Sequence, residues 1–214
     1  SGSRGLGDVY KRQSESRPIE DQHWRTIGFL NAGVWISNEF EGGRVSDAWR
    51  EGVDSFVVQL RPENAPVNNS AWYAFKVWTD TPRPIQVRLT YEDGTHRYWP
   101  ESKRVGESWA TMDSSDVRID TVLHEATLTL DVGPDTLWVA GQEMMTSGFF
   151  DSWTEMLAER SFVSRSVAGT SGRGRPIYML QFGEPGATRH VAIIGRQHPP
   201  EATGTMGLLG FVEA

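Results

Sequence analysis

The chain reads HVAIIGRQHPPEATGTMGLLGFVE from His190 to Glu213, and this stretch carries its strongest fold signal. It begins with an apolar run, Val191 to Ile194, which is typical of a buried central strand in an α/β sheet. Pro199 and Pro200 lack backbone donors and restrict the residues before them, so His198 and Glu201 cannot share one regular helix. We therefore expect the pair on a loop at the carboxyl end of a strand, where open α/β sheets place ligand sites.

The residues after this loop predict a helix that packs back on the sheet, because apolar side chains recur from Met206 to Val212. An imidazole and a carboxylate on a stiff loop are suitable ligands for Zn²⁺. An HxxE spacing alone is a weak motif, and a solvated polar loop is the alternative. The strand, the double proline and the helix supply the context that makes His198 and Glu201 candidate metal ligands.

Three segments carry a resemblance to a known family: NNSAWYAFKVW at 68–78, GRPIYMLQFG at 174–183 and GRQHPPEATGTMGLLGFVE at 195–213. Together they resemble the zinc metallocarboxypeptidases, in the branch related to cytosolic carboxypeptidases. Pro200 stands where members usually carry glycine, although HPPE also occurs among bacterial relatives. The resemblance implies that His198 and Glu201 are the first two zinc ligands. It also implies a hydrolase whose substrates are the C-termini of peptides or proteins.

The same resemblance implies a third zinc ligand, a histidine, together with a glutamate general base and arginines that bind the substrate carboxylate. These residues are expected beyond Ala214, and the general base is not among the residues present. We therefore expect the chain to be an N-terminal fragment that binds zinc poorly and has no peptidase activity. The residues that would choose the substrate side chain are expected in the same downstream region.

Arg196 is the candidate substrate-binding residue. It lies beside the predicted ligand pair, two positions before His198. Its guanidinium could contact substrate, or it could only fix the conformation of the loop. Both interpretations stay open at the level of sequence.

Composition excludes several classes of function. The net charge of −7 makes nucleic acid an unsuitable partner, and the absence of cysteine excludes disulfides and thiolate metal sites. No apolar run is long enough to span a membrane. The segment SRGLGDVYKRQ at 3–13 resembles one reading frame of a sequencing-library adapter, so we expect residues 1–13 to be a disordered artefact. Localisation and oligomeric state stay open.

The domain organisation follows from a change of pattern near residue 145. Short β-rich runs separated by turns predict an antiparallel β-sandwich at 14–145. In it, apolar and polar side chains alternate from Ile85 to Tyr91, and the turn at Asp93 and Gly94 predicts a hairpin of this strand with Thr95 to Trp99. Residues 146–214 are expected to form the truncated start of a mixed-sheet α/β carboxypeptidase domain. The overall class is thus α+β / α/β, with a helix from Thr146 and a hairpin around GTSGRG at 169–174.

Two other functions remain open. One is a zinc-dependent deacylase or amidohydrolase of the desuccinylase type, although the preceding sandwich argues against it. The other is a non-catalytic β-sandwich binding module, whose signature would be an aromatic cluster exposed on one face. We expect the strand tryptophans to lie in the core instead, since large aromatic side chains in strands are usually buried; they are Trp35, Trp72, Trp78 and Trp138.

Overall fold

The structure, a computed structural model, describes residues 23–62, 72–184, 186–196 and 202–213. The predicted adapter-derived tail at residues 1–13 lies outside these ranges. The described residues form two compact units, one that ends at Glu143 and one that begins at Met144. Antiparallel and mixed sheets dominate and helices are few, so the predicted α+β class is confirmed.

The described part of the first unit consists of short strands in two sheets. In spatial order, the first sheet contains β1 (Thr26–Phe29), β2 (Val34–Ser37), β5 (Ala74–Thr79), β11 (Leu137–Ala140), β7 (Glu101–Arg104) and β8 (Ala110–Thr111). The second contains β3 (Asp47–Arg50), β4 (Ser55–Leu60), β6 (Arg83–Tyr91), β10 (Glu125–Val132) and β9 (Val117–Asp120). Short 3₁₀ turns at Leu30–Ala32 and Ser114–Asp116 connect strands that are consecutive in the chain.

One hydrophobic core joins the two sheets. Phe75 and Val77 of β5 lie in the same buried cluster as Phe56 of β4 and Leu128 of β10. Each of these side chains is fully shielded from solvent. Because each strand sends alternate residues inward, this single core makes the first unit a β-sandwich, as the sequence predicts.

One strand pair differs from the prediction of a purely antiparallel sandwich. β4 and β6 are parallel, with Phe56 opposite Val87, whereas the other named pairs are antiparallel. The chain leaves β4, forms β5 in the opposite sheet, and then returns as β6. Since the intervening strand lies in the other layer, β4 and β6 meet as parallel neighbours rather than as a hairpin.

The hairpin predicted between Ile85–Tyr91 and Thr95–Trp99 is wrong. Residues 92–100 form no strand, because both edges of β6 are already paired, with β4 on one side and β10 on the other. The segment is held by other contacts instead. The His96 backbone N–H donates to the carbonyl of His124 at 2.9 Å, and the Tyr91 hydroxyl lies 2.8 Å from His96 Nδ1.

The prediction that the strand tryptophans are core residues is also wrong. Trp35, Trp78 and Trp138 are half-buried and absent from the core cluster. Each lies between two inward-facing residues, as Trp138 does between Leu137 and Val139, so its own side chain projects from the outer face of the first sheet. Trp72 precedes β5 and is also half-buried; its indole N–H donates to the Gly42 carbonyl at 2.9 Å.

The described part of the second unit combines two helices and a hairpin: α1 (Ser147–Ala158), β12 (Val163–Thr170), β13 (Pro176–Phe182) and α2 (Ala202–Glu213). α1 begins where the sequence predicts, since the Thr146 hydroxyl accepts a hydrogen bond from the Phe149 N–H at 3.2 Å. β12 and β13 are antiparallel, and the glycine-rich segment joins them as predicted. Within the described ranges, no helix has the length and apolar content needed to cross a membrane.

The central strand predicted at Val191–Ile194 is absent. Residues 191–196 are described, but they form no strand, and Val191 and Ile194 are 89% and 74% exposed. A strand requires a neighbouring edge to satisfy its backbone donors and acceptors. In the part of the chain that the structure describes, β12 and β13 pair only with each other, so the apolar run gains no partner.

Candidate metal centre

Helix α2, which follows the predicted ligand pair, is held at its C-terminal end by side-chain packing. Leu209 and Val212 pack against a small core formed by Trp153 and Leu157 of α1 with Val163 of β12. The Trp153 indole N–H also donates to the Glu213 carboxylate at 2.8 Å. The helix predicted from the apolar spacing therefore exists, and it lies against α1 and the hairpin.

The middle of α2 is also in contact with the segment that precedes the helix. Gly195 lies so close to Leu208 that a Cβ atom at position 195 would collide with the leucine side chain. Ala202 and Thr205, in the first turn of α2, are buried. The five positions 197–201 connect Arg196 with the buried first turn of α2. The sequence analysis did not identify Gly195, although a glycine directly after an apolar run is a signal of close approach.

The two predicted zinc ligands fall in this connection. His198 and Glu201 lie outside the described residues, so their assignment as ligands stays a prediction. Among the described residues, no group of three or more His, Cys, Asp or Glu side chains could hold a metal ion. The donor types of the predicted pair, one imidazole and one carboxylate, are those of catalytic zinc sites, which use three protein ligands.

Arg196 has an unusual backbone conformation. Its φ is +53°, in the left-handed region that residues with a side chain adopt at a cost of about 1–2 kcal/mol. Its side chain is half-buried. Backbone strain of this kind persists when surrounding contacts enforce it, and it is frequent at functional sites. The conformation turns the chain immediately before the predicted ligands.

A cluster around Arg165 connects α1 to the hairpin that precedes the candidate site. The guanidinium pairs with Asp151, donates to Thr154 Oγ1 at 2.9 Å and lies 3.7 Å from the centre of the Tyr178 ring. Glu155 lies at 3.6 Å on the same helix. A hydrogen bond with Asp151 raises the pKa of the Tyr178 hydroxyl. The cluster fixes the orientation of β12 and β13 relative to α1.

Comparison with known proteins identifies related sequences and folds. Residues 150–214 match the family model for zinc carboxypeptidases, Peptidase_M14, and this range includes His198, Glu201 and Arg196. No curated protein matches the chain in sequence.

Several solved structures share the fold across both units. A protein of Burkholderia mallei, proposed to be a carboxypeptidase, is 18% identical with a TM-score of 0.69, over 86% of this chain and 48% of its own. A metallo-carboxypeptidase of Burkholderia cenocepacia is 16% identical with a TM-score of 0.67, over 84% and 48%. A Pseudomonas aeruginosa metallo-carboxypeptidase, in complex with (2-guanidinoethylmercapto)succinic acid, is 20% identical with a TM-score of 0.66, over 83% and 48%. The chain thus spans about half the length of these structures.

Proposed function

We propose that the protein is a zinc-dependent metallocarboxypeptidase that hydrolyses the C-terminal peptide bond of peptides or proteins, because residues 150–214 match the family model for zinc carboxypeptidases. The observation that carries the proposal is the family match, which covers the predicted ligands and the helix that follows them. The shared fold with metallo-carboxypeptidases across both units supports it.

His198 and Glu201 are the proposed zinc ligands within this chain. A neutral imidazole nitrogen and a carboxylate oxygen both suit zinc, and a third protein ligand would complete a catalytic site. Zinc bound in this way lowers the pKa of a coordinated water and polarises the scissile carbonyl. The contact of Gly195 with Leu208 and the burial of Ala202 hold the described residues on either side of the predicted ligands.

Arg196 is the proposed substrate-binding residue. An arginine guanidinium presents five N–H donors in a fixed plane, and the backbone carbonyls of a peptide substrate are acceptors for them. Its left-handed backbone next to the ligand loop supports this role, since strained residues are frequent at such sites. Replacement of Arg196 by lysine, which keeps the charge but loses the planar set of donors, should raise KM more than it lowers kcat.

The test uses the gene product that contains this sequence, at its natural length. We expect it to release C-terminal amino acids from a mixed peptide library, with activity lost to a chelator and restored by zinc. His198→Ala should lose both activity and stoichiometric zinc, since removal of a ligand weakens metal binding strongly. His190→Ala is the matched control, because His190 is exposed in the same segment and is not a proposed ligand.

Two outcomes would contradict the proposal. Full activity and full zinc content in His198→Ala would remove this residue from the site. Zinc binding without release of any C-terminal residue would reject the peptidase activity and favour the deacylase alternative.

A further inference from the structure

The outer face of the first sheet carries a row of aromatic and cationic side chains. Strand register places Trp35 of β2 opposite Trp78 of β5, and it places Trp138 of β11 between Lys76 of β5 and Lys103 of β7. Residues that are direct cross-strand partners point to the same side of a sheet. These five side chains, which we call the aromatic platform, therefore share one face, and it is opposite to the core.

Two rings of the aromatic platform stack on each other, and the third lies beside a cation. The indoles of Trp35 and Trp78 are nearly parallel, at an angle of 7°, with their centres 6.1 Å apart. The Lys103 ammonium lies 5.8 Å from the centre of the Trp138 ring and 5.4 Å from that of Trp109. Trp35, Trp78 and Trp138 are half-buried rather than enclosed, so part of each ring remains accessible.

Packing within the sheet explains only part of this arrangement. A cation beside an indole contributes about 0.5–1 kcal/mol at an exposed site, so a purely structural role would account for the contacts of Lys103 with the two rings. A structural role does not account for the two positive charges on this face. Neither Lys76 nor Lys103 forms a salt bridge with a carboxylate among the described residues, although the chain has 28 acidic and 21 basic residues. The Lys76 ammonium donates to the Glu39 backbone carbonyl at 3.1 Å and lies 5.4 Å from the centre of the Phe40 ring.

We propose that the aromatic platform binds a saccharide that carries carboxylate groups. The faces of indole rings carry partial negative charge, and the C–H groups of a pyranose ring can pack on them. The two ammonium groups then pair with carboxylates of the ligand. This proposal concerns the first unit and does not depend on the proposed peptidase activity.

The position of the platform in the sheet favours a saccharide over an acidic peptide. Peptides that bind sheets commonly add a strand at an edge, where backbone donors and acceptors are free. Trp35, Trp78 and Trp138 lie on β2, β5 and β11, each of which has a neighbour on both sides, whereas β1 and β8 are the outer strands of this sheet. Recognition on this face must therefore use side chains, and the indole faces offer surfaces on which the C–H groups of a pyranose can pack.

Affinity electrophoresis of the full chain in gels that contain polygalacturonate tests the proposal. We expect retardation at low salt, and a loss of about tenfold in affinity for Trp138→Ala and for Lys103→Gln, which corresponds to one ring contact or one charged contact. Trp49→Ala and Arg118→Gln are the matched controls, because both side chains are exposed on strands of the other sheet. Neither control should change the affinity. Near-ultraviolet circular dichroism checks that each variant is folded, and Trp35→Ala replaces Trp138→Ala if the latter unfolds.

Three results would overturn the proposal. Absence of retardation by polygalacturonate would exclude the ligand class. Equal binding to poly-L-glutamate of matched charge would show that the surface recognises acidic polymers in general, including peptides. An equal loss of affinity in Trp49→Ala and Trp138→Ala would place the binding surface elsewhere.

Discussion

The two units of the chain bury their apolar residues to different extents. In the first, twenty buried residues of the described chain form one core between two sheets. In the second, the buried core is Trp153, Leu157 and Val163, while Ile177, Phe211 and Ile194 are 53%, 67% and 74% exposed. Apolar side chains thus form a complete core only where two layers face each other. The difference leads us to expect that stability resides in the sandwich.

The largest expected effect is on the core of the sandwich. Phe75→Ala should lower the free energy of unfolding by about 3–5 kcal/mol, since Phe75 is fully buried and its removal leaves a cavity. Urea unfolding followed by circular dichroism measures this. Phe211→Ala is the matched control in α2, and at 67% exposure it should change stability by less than about 0.5 kcal/mol. Equal losses would show that Phe211 is covered in solution and that the second unit is as well packed as the first.

A smaller effect is expected where α1 meets the hairpin. Arg165→Ala removes the pairing with Asp151 and the contact with Tyr178, and should weaken the second unit by about 1–2 kcal/mol after solvent screening. Amide hydrogen exchange in β13 measures the local effect. Arg160→Ala, on an exposed side chain just beyond α1, should leave exchange unchanged. Unchanged protection of β13 in Arg165→Ala would mean that this cluster does not hold the hairpin.

The cap of α1 provides a more local test. Thr146→Ala removes the side-chain acceptor of the Phe149 N–H and should cost about 1 kcal/mol. Faster exchange of the first-turn amides of α1 would report the loss. Thr146→Ser keeps a hydroxyl acceptor and should restore protection. If both variants behave alike, the cap contributes nothing, and the helix is held by Trp153 and Leu157 alone.

The smallest expected effect is a pH dependence of the sandwich. Burial lowers the pKa of His96 below its usual value of 6.5. The unfolded chain then binds more protons than the folded one as pH falls below 6.5, so the free energy of unfolding should decrease in that range. His96→Gln should flatten this decrease in urea titrations at a series of pH values. Burial also raises the pKa of Glu101, and this group is present in both proteins. The comparison therefore separates the contribution of His96 from that of Glu101. Parallel curves for the two proteins would contradict the assignment.

Sequence patterns predicted the strands with strong alternation and the helices with clear boundaries. Ile85, Val87 and Leu89 are buried in β6 as predicted, and Thr146 begins α1. The short strands β3, β7 and β9 were not predicted. β7 reads ESKR, with no apolar residue, so no periodicity marks it as a strand. It is a strand because β11 offers an edge beside it.

The candidate site was predicted only as a set of residue types. The sequence identifies His198, Glu201 and Arg196 from spacing and resemblance, because donor chemistry and proline restraints are local properties. It could not reveal that Gly195 contacts Leu208 or that Arg196 has a left-handed backbone, since both depend on how α2 packs. The aromatic platform could in principle be predicted from the sequence, because each of its tryptophans has a core residue on both sides along the chain.

Local chemistry therefore specified the β-rich first part, the helix after HPPE, the family resemblance and the residue types of the predicted zinc ligands. Strand neighbours, the sheet to which each strand belongs and the outward face of Trp35, Trp78 and Trp138 depended on three-dimensional packing. The physical reason is the same in each case. An apolar run such as Val191–Ile194 carries the propensity for a strand, but its backbone groups need a partner edge and its side chains a second layer. Both are supplied by residues distant in sequence, as β10 supplies them to β6.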